Sequence, residues 1–131
     1  MGGDRLIPHV LSLMADSESH SGFTVPQIIR CILPPLYLGQ HTGIVEDDRL
    51  QAWCSWAFMT PEKADAFLDG NYRIQSGDWA EGTTLVFMDF IAPYGHARKL
   101  YRECRRLFGT QPAGWIRHTK GKKRAEVFHG Q

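Results

Sequence analysis

Long apolar runs are missing from this sequence. The most hydrophobic stretch, Ile28–Leu33, is interrupted by Arg30 and followed directly by Pro34 and Pro35. It is therefore much shorter than the roughly 18 residues that a membrane-spanning helix needs. The first residues, Met1–Leu6, also lack the order of charged, apolar and small residues that marks a signal peptide. We expect a protein without a membrane span that stays in the cytoplasm.

Cysteine is also scarce, and the three residues, Cys31, Cys54 and Cys104, form no CxxC arrangement. Such cysteines suit a reducing compartment rather than a disulfide scaffold. Burial is expected to make Cys31 and Cys54 inert, whereas Cys104 is predicted at a surface or half-buried helix position. Zinc-type His/Cys spacings, glycine-rich phosphate loops and a GxSxG elbow are all missing. No metal or cofactor is therefore expected.

The charge that is present is unevenly distributed. Residues 1–96 carry five Lys/Arg and twelve Asp/Glu, a formal charge of −7, while residues 97–131 carry ten and two, a charge of +8. The basic side chains of this end include Arg98, Lys99, Arg102, Arg105, Arg106 and those within 120–124. A basic end fits an acidic protein, a nucleic acid, an anionic membrane surface or merely a solvated helix face, and charge alone does not choose.

The apolar pattern predicts one domain over residues 1–131 with alternating helices and strands. With 43% apolar residues, a chain of this length can bury a core of its own. Helical spacing predicts helices over 4–15, from an N-cap at Thr24 to a point before Pro34, over 61–68 and over 97–108. Strands are predicted at 40–45, 50–59, 83–91, 115–118 and 125–129. This order indicates an α/β or α+β sheet with helices packed on it.

Asp89 stands in one of the most apolar segments, Leu85–Pro93. Strands disfavour Asp, and burying it without a partner is costly. Regular side-chain alternation would place it on one face of its strand, in an apolar row with Leu85, Phe87 and Ile91. Such a residue is expected to have a partner or a chemical task.

His20, in the polar loop Ser17–Gly22, is the obvious partner. A carboxylate can accept a hydrogen bond from one imidazole nitrogen and leave the other free as a base. This is the hypothesis of a His20–Asp89 dyad. The alternative is that Asp89 bonds backbone amides or pairs with an arginine such as Arg117, and that His20 is an ordinary loop residue.

Five motifs follow one another over nearly the whole chain, from about His20 to Gly130. They are Leu33–Gln40, Cys54–Ala57, Asp78–Trp79, Phe87–Gly95 and Phe128–Gly130. In this order they resemble the toxin-activating lysine acyltransferases, the hemolysin-activator family. The most specific element is Phe-x-Asp-x-Ile-Ala-Pro-aromatic-Gly, which contains Asp89, and Ser-Trp-Ala is the next.

The resemblance implies an enzyme that moves a fatty acyl group from acyl carrier protein to internal lysines of an RTX-type protoxin, in the cytoplasm. It also implies an acetyltransferase-like mixed sheet flanked by helices, and a homodimer. The family's essential His falls on His20, its Asp on Asp89, a site arginine on Arg117 and a serine on Ser17. Acyl carrier protein is acidic, so the basic end of the chain becomes a candidate docking surface for it, and no nucleic acid is expected.

This chemistry needs a base, because a lysine with a pKa near 10.4 is protonated at neutral pH. His20, oriented by Asp89, would take a proton during attack on the acyl thioester, a contribution of about 10²–10⁴-fold. Arg117 would either keep Asp89 ionised or stabilise the oxyanion that develops on the thioester oxygen. We favour direct transfer over a covalent intermediate on His20 or another group.

Two departures from the family leave alternatives open. Cys31 stands where relatives carry a polar side chain such as Asn, and the chain ends at Gln131 where familiar members continue, which is expected to weaken dimerisation. The acceptor would then be a small amine, or the protein a non-catalytic adaptor for an acidic partner or nucleic acid. The presence of both His20 and Asp89 favours the enzymes.

Overall fold

A five-stranded mixed sheet in the order β1-β2-β3-β4-β5 lies at the centre of the protein. The computed structural model describes the backbone of residues 3–119 and 122–128 and the side chains of residues 3–115. The strands are β1 (His41–Glu46), β2 (Arg49–Met59), β3 (Thr84–Ile91), β4 (Ala113–Thr119) and β5 (Lys122–Phe128). Neighbouring strands are antiparallel except for the parallel pair β3 and β4. The predicted α+β fold with a mixed sheet is confirmed, and His129 of the last predicted strand lies outside the described residues.

Helices cover both faces of this sheet. One face carries α5 (Ala97–Phe108), which connects β3 to β4. The other face carries α1 (Gly3–Ala15), a π-helical segment (Ile28–Ile32), α3 (Leu33–Leu38) and α4 (Pro61–Leu68), and the short α2 (Val25–Gln27) directly precedes the π-helical segment. No helix in the described part of the chain is long and apolar enough to cross a membrane.

The helical region after Thr24 continues past the two prolines, and the prediction that it ends before Pro34 is wrong. Thr24 is the predicted N-cap: its hydroxyl accepts from the N–H of Gln27 at 3.3 Å, and the Gln27 side chain accepts from the N–H of Thr24 at 2.7 Å. The π-helical segment then leads into α3, which has both prolines near its start. Proline is tolerated there because the first turn of a helix needs no N–H donors.

An apolar stripe on α5 fixes this helix to the sheet. Leu100, Cys104 and Phe108 recur every four residues and therefore share one face of the helix. Leu100 and Cys104 are buried against strand residues that include Cys54 and Phe87. The predicted surface or half-buried position of Cys104 is therefore wrong, because its side chain belongs to this stripe and is only 1% exposed.

A β-bulge interrupts the pairing of β2 with β3. Ser55 pairs with Asp89 and Trp56 with Phe87, which leaves Met88 without an opposite residue. An extra residue of this kind reverses the alternation of the side chains that follow it. The bulge therefore changes the face to which Asp89 points.

Side chains before and after the bulge lie on different faces. Leu85 and Phe87 pack under α5, whereas Ile91 packs with Trp53 on the face that carries α1. The prediction that Asp89 shares a face with Leu85 and Phe87 is therefore wrong. Asp89 instead lies on the same face as Ile91, beneath the helices at the start of the chain.

Candidate active site

His20 lies in a tightly wound loop that follows α1, as the sequence predicts. The N–H of Ser17 donates to the carbonyl of Met14 at 3.1 Å, and the N–H of His20 donates to the carbonyl of Ser17 at 3.1 Å. The N–H of Phe23 donates to the carbonyl of His20 at 3.1 Å, and the two rings lie 5.1 Å apart. These contacts hold the imidazole in a buried position, 6% exposed.

The side chains of His20 and Asp89 meet directly, although 69 residues separate them in the chain. Nε2 of His20 lies 3.0 Å from Oδ1 of Asp89, and this contact is buried. Asp89 is 9% exposed. The structure therefore brings together the two residues of the predicted dyad, on the face to which the bulge turns Asp89.

Two serine hydroxyls lie against the opposite edge of the imidazole. Oγ of Ser17 is 2.9 Å from Nδ1 of His20, and Oγ of Ser19 is 3.1 Å from the same nitrogen. Ser17 is half-buried and Ser19 is exposed. The Nδ1 edge therefore points toward the surface, while the Nε2 edge points into the protein. Ser17 is one of the predicted site residues, but the sequence analysis did not identify Ser19.

Ser55 is a further neighbour that the sequence analysis missed. It lies directly opposite Asp89 in the antiparallel pair, is fully buried, and its hydroxyl has no hydrogen-bond partner among the described residues. Opposed residues in such a pair have Cβ atoms about 4.5–5.5 Å apart. The Ser-Trp-Ala motif that contains Ser55 was the available signal, since a serine within an apolar strand needs a partner.

Cys31, on the π-helical segment, is the third side chain close to Asp89. Burial raises the pKa of the Cys31 thiol, and the negative charge of Asp89 raises it further. The positive charges of Arg30 and Arg73 lower the pKa of this thiol without cancelling the effect. The thiol thus stays neutral, as expected for an inert cysteine.

Arg117 belongs to β4, where it pairs with Arg124 of β5. Its side chain lies outside the described residues, so its predicted place beside Asp89 remains a prediction. The backbone nevertheless shows a feature of this region: β3 and β4 pair only from Leu85 to Phe87, although both strands continue. An unpaired stretch therefore separates the carboxyl ends of two parallel strands next to Asp89.

Comparisons with known proteins identify the family of this chain. A model of the RTX toxin acyltransferase family matches residues 5–129. The leukotoxin-activating lysine-acyltransferase of Aggregatibacter actinomycetemcomitans is 31% identical over 128 residues, which are 96% of this chain and 76% of that protein.

Two further relatives show similar levels of identity. A protein-lysine myristoyltransferase of Escherichia coli is 31% identical over 104 residues, 79% of this chain and 61% of that protein. A lysine-acyltransferase of Vibrio cholerae is 33% identical over 103 residues, 78% of this chain and 67% of that protein. The chain thus spans about two thirds of the length of these two relatives. The resemblance indicated by the sequence motifs is confirmed.

Proposed function

The chain belongs to the RTX toxin acyltransferase family, and we propose that it transfers a fatty acyl group from acyl carrier protein to lysine side chains of an RTX-type protoxin. Family membership confirms the predicted class, an acyltransferase that acts on protein lysine. The acyl donor, the protoxin as the acceptor and the roles of individual residues belong to this proposal.

The buried contact between His20 and Asp89 is the observation that supports this mechanism most strongly. An ionised carboxylate only accepts hydrogen bonds, so we assign the proton to Nε2 of His20, which lies 3.0 Å from Oδ1 of Asp89 and donates to it. Nδ1 then has a free lone pair, and the hydroxyl of Ser17 donates to it at 2.9 Å. The imidazole is thus oriented as a base whose reactive nitrogen faces the surface.

The lysine ammonium first releases one proton to solvent, and transfer to the resulting neutral amine then balances with this one base. The lysine nitrogen forms a bond to the thioester carbon, and the bond from that carbon to sulfur breaks. Nδ1 of His20, directly or through the Ser17 hydroxyl, takes the proton from the attacking nitrogen and returns it to the leaving thiolate. The charge of Asp89 stabilises the imidazolium that exists between these two steps. The products are an amide and a free carrier thiol.

Ser55 acts as a positioning residue in this mechanism. A change of the Ser55 side-chain rotamer would bring its buried hydroxyl, which has no hydrogen-bond partner among the described residues, toward Asp89 on the paired strand. A carboxylate that accepts from a second donor is held more firmly in one orientation. Ser55 would thus support the dyad without touching either substrate.

The donor would reach the dyad from the side of β4. Ligands of open sheets bind beside the carboxyl ends of parallel strands, and the unpaired stretch between β3 and β4 lies at this end. On the other face of the sheet, α5 exposes the cations of Arg98, Lys99 and Arg102. These are candidate contacts for an acidic carrier protein, since opposite charge accelerates encounter.

Reversal of charge on α5 tests this docking surface. We expect Arg98→Glu combined with Arg102→Glu to raise the KM for acyl carrier protein about tenfold at low salt and to flatten its salt dependence. Arg5→Glu, an exposed arginine on α1, is the matched control and should leave both unchanged. An unaltered salt dependence in the double variant would exclude this surface.

Direct transfer and a covalent acyl-enzyme make different predictions for Ser17 and His20, the two residues that would carry the acyl group. In direct transfer, Ser17→Ala loses one hydrogen bond to the base and slows turnover about fivefold. The intact mass of the wild-type protein, after incubation with acyl carrier protein and no acceptor, should then show no added acyl group. A stable adduct on either residue would favour the covalent route.

Mass spectrometry of candidate acceptors tests the function itself. The protein is incubated with acyl carrier protein loaded with defined fatty acids and with an RTX protoxin or a small amine. Acylated lysine in the protoxin supports the proposal, and a modified small amine points to the second enzymatic alternative. No transfer to either acceptor would favour the adaptor.

Cytoplasmic location and a homodimer are further parts of this proposal, because the family resemblance implies both. Light scattering coupled to size-exclusion chromatography measures the mass of the protein in solution and therefore tests the homodimer. A mass of one chain across micromolar concentrations would contradict the homodimer.

A further inference from the structure

A polar groove lies between α1 and the turn end of the β1–β2 hairpin. Its volume is about 530 Å³, within the range of binding pockets for small ligands and short peptide segments. The residues that line it are His9, Ser12, Leu13, Asp48, Arg49, Leu50, Gln51 and Tyr94. The mechanism above makes no use of this groove.

One wall of the groove is hydrogen-bonded to the segment that carries His20. Tyr94, which lines the groove, donates a hydrogen bond from its hydroxyl to the carboxylate of Asp16. Asp16 directly precedes Ser17, whose hydroxyl lies 2.9 Å from Nδ1 of His20. The groove therefore borders the start of the loop whose serine lies at the Nδ1 edge of the imidazole.

The two substrates would need separate approaches to Asp89, and the sheet offers one on each side. The unpaired stretch between β3 and β4 lies on one side of β3. The groove lies on the other side, beside Leu50 and Gln51 of β2 and beneath α1. If the thioester enters from the side of β4, the groove remains for the acceptor.

Charge around the groove suits a lysine. The carboxylate of Asp48 lies in its wall next to the exposed Asp47 in the hairpin turn, and the carboxylate of Asp16 accepts a hydrogen bond from the wall residue Tyr94. Arg49 is the opposing cation in the wall. The carboxylates outnumber this arginine, and an excess of negative charge attracts the ammonium group of a lysine.

Resting on the proposed function, we infer that this groove binds the segment of the acceptor protein that carries the reactive lysine. An extended segment of a few residues fits its volume, and the lysine side chain would pass Tyr94 to reach Nδ1 of His20. The groove would thus select for a polypeptide acceptor over a free small amine.

A bulky side chain in the groove tests this inference. Ser12 and His9 are exposed on α1, so Ser12→Trp and His9→Trp fill the groove from two positions without disturbing the core. We expect each to raise the KM for an RTX protoxin about tenfold and to leave the KM for acyl carrier protein unchanged. Asp65→Trp, at an exposed position of α4, is the matched control and should change neither value.

Photo-crosslinking gives a readout that does not depend on turnover. A benzoylphenylalanine at Ser12 should crosslink to the protoxin, and one at Asp65 should not. Equal crosslinking at both positions, or an unchanged protoxin KM in both tryptophan variants, would overturn the inference. A wild-type protein that transfers no acyl group contradicts the proposed function instead, while crosslinking at Ser12 still decides whether the groove binds the acceptor.

Discussion

Asp78 and Asp89 are both buried carboxylates, yet their surroundings differ. Asp78, 3% exposed, accepts from Nζ of Lys63 at 2.8 Å, from the hydroxyl of Tyr72 at 2.5 Å and from the N–H of Gln75 at 2.8 Å. Asp89, at 9%, has the single described contact to His20 at 3.0 Å.

The number of hydrogen-bond donors distinguishes a carboxylate that stabilises the structure from a carboxylate that takes part in the reaction. Burial by itself would raise the pKa of Asp78, but the donors from Lys63, Tyr72 and Gln75 outweigh it and the pKa is lowered. Such a group holds its loop in place and has little capacity left for a substrate. Asp89 faces a group that can change its protonation state, so its charge is available to the reaction.

The largest expected effect is on turnover in Asp89→Asn. The amide is isosteric but carries no charge to stabilise an imidazolium, so kcat should fall by about 10²–10⁴-fold. The free energy of unfolding, measured by urea denaturation, should change by no more than about 1 kcal/mol. Turnover within threefold of wild type would show that Asp89 is structural, as Asp78 is.

Asp78→Asn should give the opposite result. It removes the charge that three donors share, and the free energy of unfolding should fall by about 2 kcal/mol. At a temperature where the variant is folded, kcat should remain close to that of the wild-type protein. A loss of kcat without a loss of stability would contradict this assignment.

At acid pH, the free energies of unfolding of Asp78→Asn and of the wild-type protein should lie closer together than at neutral pH. Because the pKa of Asp78 is lower in the folded than in the unfolded state, its stabilising effect is complete above the unfolded value, about 4. The effect is lost as the pH falls through the lower, folded value. Urea denaturation at pH 7 and at pH 3 should therefore show a smaller difference in unfolding free energy at pH 3.

Ser55→Ala should lower kcat about tenfold, a smaller loss than that of Asp89→Asn. If its hydroxyl supports Asp89, the acid limb of the pH–rate profile should also shift, since the dyad loses a donor to the carboxylate. Ser55→Thr keeps the hydroxyl and should recover most of the activity. Equal activity in the wild-type protein and Ser55→Ala, with an unshifted profile, would assign Ser55 to packing alone.

Local patterns predicted most of the secondary structure. The 97–108 helix has the bounds that its apolar spacing indicates, and Thr24 and Thr60 cap helices as their side chains allow. The π-helical segment was missed because it changes the hydrogen-bond spacing within a helix without a strong signal in side-chain type. The burial of Cys104 was missed because its basic neighbours in sequence point away from the sheet.

The site was predicted in its main residues but not in its geometry. Asp89 stands out as a carboxylate in an apolar segment and His20 as its expected partner, and Ser17 follows from the family resemblance. The sequence did not reveal that Ser19 and Ser55 would join them. Both depend on contacts between segments or on a loop conformation, which side-chain periodicity does not describe.

Sequence by itself determined which segments form helices and strands, and that Asp89 has no obvious partner close by in the chain, because these properties depend on neighbours within a few residues. Only the tertiary structure decided that Asp89 faces the His20 loop. The reason is a single unpaired residue, Met88, whose effect exists only where β3 pairs with β2.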